Sequence, residues 1–63
     1  MMGKVCQFDG RTGVGSIRFN SLIDLPFSFA DVKGPVIIRR GDEVEFDVKE
    51  VEGQTVAFKV KLL

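Results

Sequence analysis

The chain reads as all-β, a small barrel of five antiparallel strands. Three observations carry this. Apolar and polar residues alternate with a period of two in several short runs. Glycine, proline, asparagine and aspartate cluster between those runs at regular spacing. No segment shows helical periodicity.

The first strand is expected over residues 4–8, and the turn Gly10-Arg11-Thr12-Gly13 leads out of it. The second covers residues 15–19, with Ile17 and Phe19 inward and Ser16 and Arg18 outward. A turn at NSLID (20–24) precedes the third, residues 25–29, with Leu25 and Phe27 inward. The following segment DVKGPVIIRRGD is too long for a tight hairpin. Gly34-Pro35 breaks regular structure there, and residues 36–38 form a short apolar pin. DEVEFDV (42–48) is the clearest strand: Val44, Phe46 and Val48 share one face, and Glu43, Glu45 and Asp47 the other. The last strand spans residues 55–62, with Val56, Phe58, Val60 and Leu62 inward and Lys59 and Lys61 outward. A turn at Gly53 joins these two.

A chain of 63 residues makes a single domain, 1–63. At this size only about 60% of the unfolded surface is buried, so the core must be compact. A closed, OB-like Greek-key barrel is the economical arrangement, because closure removes exposed edges without extra chain.

Nine basic residues balance nine acidic ones, so charge alone does not imply nucleic acid. No apolar run approaches the ~20 residues of a membrane span. The start shows no signal-peptide pattern. The expectation is a complete small cytoplasmic protein with no membrane partner. Cys6 is the only cysteine, so no internal disulfide forms, which suits a reducing compartment. Histidine is absent, which excludes zinc sites of the usual Cys/His kind. No metal or cofactor is expected.

Catalytic chemistry has no foothold either. Cys6 reads as a small strand residue or an exposed thiol, with no histidine to activate it. Asp24, Asp31 and Asp42 fall in or near turns, where aspartate caps backbone donors. No enzyme and no small-molecule substrate are expected.

The order of residues resembles the cold-shock domain family. The matching pieces are G-K-V-x-x-F (3–8), G-x-G-x-I (13–17), D-L-P-F-S-F (24–29), D-V-K-G (31–34), G-D-E-V-E-F (41–46) and a closing V-K-L (60–62). They cover nearly the whole chain. The resemblance implies a five-stranded barrel that binds single-stranded RNA or DNA on one sheet face. Two ribonucleoprotein-type motifs carry that activity in the family. The first, similar to K-G-F-G-F-I, stands here as Thr12-Gly13-Val14-Gly15-Ser16-Ile17. The second, similar to V-F-V-H-F, stands as Leu25-Pro26-Phe27-Ser28-Phe29.

The departures fall on the binding side. Thr12 replaces a lysine, Val14 and Ser16 replace two surface phenylalanines, Pro26 replaces a third, and Ser28 replaces a histidine. Gln7 stands where the family carries an aromatic. Stacking contributes about 1–3 kcal/mol per base, so losing several platforms removes most of the usual affinity. Phe8 and Phe29 are the aromatics left at positions the family uses for bases, and both also read as packing residues. Lys4, Arg11 and Arg18 lie on or beside the first hairpin as phosphate contacts or as solvated surface. These five residues are the candidate nucleic-acid site.

Three expectations follow. The first is weak binding of single-stranded nucleic acid through an altered face. The second is a protein-interaction module on the same scaffold, motivated by the neutral charge and the acidic stripe Glu43, Glu45 and Asp47. A third expectation is a weak homodimer rather than a monomer, through a modest apolar patch of Val14, Ser16 and Pro26 that Ile37 and Ile38 join if they are not buried.

Overall fold

The computed structural model describes residues 1–20 and 23–63. It contains β1 (Met2–Asp9), β2 (Val14–Asn20), β3 (Ile23–Ser28), a 3-10 turn (Phe29–Asp31), β4 (Glu43–Val51) and β5 (Gln54–Leu62). The NSLID turn falls partly on residues 21 and 22, outside the described residues.

All strand pairings are antiparallel, in the order β3-β2-β1-β4-β5. The sheet curls until its two outer strands approach, but it does not close. Among the described residues only a parallel bridge, Val32 to Val60, spans the seam, with the Lys33 amide donating to the Val60 carbonyl at 2.8 Å. The closed barrel expected from the sequence is therefore an open one. Pro26 sits in β3, an edge strand, the place in a sheet where proline is tolerated.

The core is built as the alternation dictates. Val5, Ile17, Leu25, Phe27, Val44 and Phe46 are buried. Phe19 is half-buried and meets Phe46 edge to face at 6.2 Å. Ile38 is buried between half-buried Val36 and exposed Ile37, so the apolar pin is real and uses one deep residue. Val48 points to the same side as Phe46, but near the end of the ribbon it remains 36% exposed.

The last strand departs from the expected facing. Glu45 pairs with Lys61 but Asp47 pairs with Phe58, so β5 carries one extra residue. Lys59 takes a positive φ of 51° in that bulge. A one-residue slip exchanges the faces of everything before it. Ala57 is consequently buried, while Val56 and Phe58 stand half-exposed on the outer side. Val60 and half-buried Leu62 keep their expected inward direction.

Two other local features match their residues. The β4–β5 turn has Glu52 at φ 52° and Gly53 at φ 81°, the two positive values of a tight two-residue hairpin. Gly15 is a point of close approach. A Cβ there would lie 2.5 Å from the Gln7 carbonyl oxygen and 2.9 Å from ring atoms of Phe8 and Phe27.

Candidate nucleic-acid interface

The five residues expected to bind do not assemble into one site. β1 has its own bulge: Val5 pairs with Ile17, but Gln7 pairs with Ser16. Beyond it Phe8 lies opposite Gly15, and its ring turns toward the core. It stacks on Phe27 with centroids 5.8 Å apart and planes at 18°. Gly15 leaves the space this requires.

Phe29 is outside the strand expected to contain it. It starts the 3-10 turn, which Ser28 caps by accepting from the Ala30 amide at 3.2 Å. Its own amide donates to the Gly13 carbonyl at 2.6 Å, tying the turn to the first hairpin. Phe29 is 45% exposed, and its ring lies 6.2 Å from that of Phe8. These two aromatics do meet, and Phe29 is the more accessible.

Arg11 belongs to the same end of the molecule, at the exposed tip of the β1–β2 hairpin. Its amide donates to Asp9 Oδ1 at 2.9 Å, and its guanidinium lies 3.7 Å from that oxygen. Lys4 and Arg18 are elsewhere. They are cross-strand partners on the outer face, with Glu43 aligned to Lys4 on the other side. Lys4 is four residues from Phe8, roughly 13 Å at ~3.3 Å per residue.

Arg18 is also committed. Its Nε and Nη2 donate to the two carboxylate oxygens of Asp24 at 2.8 and 3.2 Å. The hydrogen bond, with charge attraction second, raises the Arg18 guanidinium above its ordinary value. The same hydrogen bond holds the Asp24 carboxyl below its ordinary value. Asp24 therefore lies in β3 and pairs with an arginine, rather than capping a turn as expected. Asp42 does cap a turn, accepting from the Arg39 amide at 2.8 Å. Cys6 occupies the β1 bulge, half-buried, with Sγ 3.0 Å from Ser16 Oγ.

Sequence reading missed an aromatic with cations. Phe58, displaced to the outer side by the β5 bulge, has Lys49 Nζ 4.9 Å and Lys59 Nζ 5.6 Å from its ring centroid. The sequence carried no signal for it, because the alternation through Val56, Phe58 and Val60 is regular.

An apolar groove of about 290 Å³ follows the seam between β3 and the β4–β5 ribbon. Val14, Pro26, Val51, Val56 and Ala57 line it, with Lys49 and Asp31 at its polar edge. Among the described residues no group of His, Cys, Asp and Glu is arranged to hold a metal ion, and no helix is long and apolar enough to cross a membrane. Comparison with known proteins finds no matching family model and no matching curated protein.

Proposed function

We propose that this domain is a cold-shock-like module that binds single-stranded RNA or DNA weakly, at the end of the barrel where Phe8 and Phe29 meet. The observation that carries the reading is the exposed Phe29 ring, backed by Phe8 and set beside the hairpin that presents Arg11. A single-strand site needs an accessible aromatic face and a nearby cation, and this end has both. Phe29 is the stacking platform and Phe8 its support. Lys4 and Arg18 make at most peripheral phosphate contacts, since Arg18 is already paired with Asp24. The half-buried lone thiol suits the cytoplasm. No enzymatic role is proposed.

Titration of labelled single-stranded oligonucleotides at low salt tests this. Binding weakens with rising salt and with Phe29→Ala. Absence of binding up to ~100 µM protein, the weak end of non-specific affinity, removes the reading.

A second reading is a protein-interaction module, as a monomer or weak homodimer. The apolar seam groove, with exposed Val14 and Val51 at its sides, favours it. A pull-down that returns nucleic acid and no reproducible protein, together with monomeric sedimentation at high concentration, counts against it.

A further inference from the structure

Two of the three cations expected to bind lie against carboxylates, and among the described residues four lysines outside that set do not. Arg18 is held by Asp24 and Arg11 lies against Asp9. Among the described residues no carboxylate lies within ion-pair distance of Lys33, Lys49, Lys59 or Lys61. These four lysines converge on one side of the β4–β5 ribbon. Lys33, Lys59 and Lys61 line an open bowl of about 490 Å³, together with Glu45 and Asp47. Lys49 and Lys59 both approach the Phe58 ring. In the bowl three lysines face two carboxylates, a local excess of one positive charge in a chain whose net charge is zero, and Lys49 stands beyond it with Asp31 at the edge of the seam groove.

We propose that this lysine-framed Phe58 is a second contact surface for a single-stranded nucleic acid, distinct from the Phe8/Phe29 end. The inference rests on the nucleic-acid reading above and names where the strand continues. Phosphodiesters sit in the bowl on Lys33, Lys59 and Lys61. A base stacks on Phe58 as the ammonium groups leave the ring for phosphate. Cation–π attraction holds the free ammoniums near the ring at modest cost, so they are gathered before the ligand arrives. Phe58 is available only because of the bulge at Lys59, a lysine in left-handed backbone. Such strained positions concentrate at functional sites.

The test is a titration of an octamer of deoxythymidine into isotope-labelled protein at low salt, following amide shifts, with tripolyphosphate as a control anion. Wild type is compared with Phe58→Leu and with the double variant Lys49→Gln/Lys61→Gln. The lysines are exposed, so the double variant folds, and an unchanged spectrum away from β5 verifies both proteins. The expected result is shifts on β4 and β5 as well as at Phe29. Phe58→Leu weakens binding about fivefold or more, within the range for a lost stacking platform. The double variant weakens it and flattens the logarithmic salt slope by about 1.4, or ~0.7 per lost phosphate contact. Wild-type binding that both variants leave unchanged, with shifts confined to the Phe8/Phe29 end, overturns this inference and leaves the first reading standing. Equal response to tripolyphosphate and the octamer overturns the stacking role. No binding of the octamer by wild type overturns both.

Discussion

The ring of Phe8 lies nearly parallel to that of Phe27, 5.8 Å away, while its other neighbour, Phe29, faces solvent. One aromatic is thus shared between the core and the candidate interface. Truncating it confounds folding with binding. Phe8→Ala is expected to cost about 2 kcal/mol, less than the ~3–5 kcal/mol of a fully buried phenylalanine. Phe29→Ala changes stability little and removes the platform. Urea denaturation of both variants beside oligonucleotide titration separates the two effects.

Gly15 permits that stack. Gly15→Ala places a methyl group 2.5 Å from a backbone oxygen and 2.9 Å from two rings. The expected loss is about 1–3 kcal/mol, the usual cost of overpacking. Gly10→Ala is the control, because nothing lies within 4 Å of a Cβ there. A lower denaturation midpoint for Gly15→Ala with Gly10→Ala near wild type is the expected pattern.

Glu52 occupies a positive φ of 52° in the β4–β5 turn. Asparagine tolerates this conformation, and Asn-Gly is the preferred pair for such a hairpin. Glu52→Asn is expected to stabilise the protein by roughly 0.5–1 kcal/mol, seen as a higher thermal midpoint.

The Arg18–Asp24 pair sets a pH dependence with a definite sign. The hydrogen bond from Arg18 lowers the Asp24 carboxyl in the folded state. Its contribution is therefore fully present above the unfolded carboxyl value, about 3.9, and is lost as pH falls through the folded value. Both side chains are substantially exposed, so the effect is small. A carboxyl carbon titration by NMR should give Asp24 a midpoint below that of an ordinary aspartate, and Arg18→Gln should return it to the ordinary range.

Much of the fold was legible. Strict alternation around Ile17, Leu25, Phe27, Val44 and Phe46 identified the inward faces of three strands, because period-two burial leaves an unambiguous signature. The same rule failed in β5. Its alternation through Val56, Phe58 and Val60 is equally regular, but a single extra residue at Lys59 exchanged the faces on one side. Nothing in the residue types distinguishes a bulged strand from an unbulged one of the same pattern. The candidate site suffered from the same cause. The β1 bulge turned Phe8 inward, and the β5 bulge turned Phe58 outward.

Local chemistry was therefore written in the chain: strands, turns at Gly13 and Gly53, the buried half of the alternation in β2, β3 and β4, and the absence of histidine or paired cysteines. Pairing between strands decided the remainder. It set the two bulges, left the seam between β3 and β5 open, joined Arg18 to Asp24, and brought Lys49 and Lys59 to the Phe58 ring. The physical reason is that facing within a strand depends on neighbours in sequence. Register and charge pairing depend on residues that only folding brings alongside.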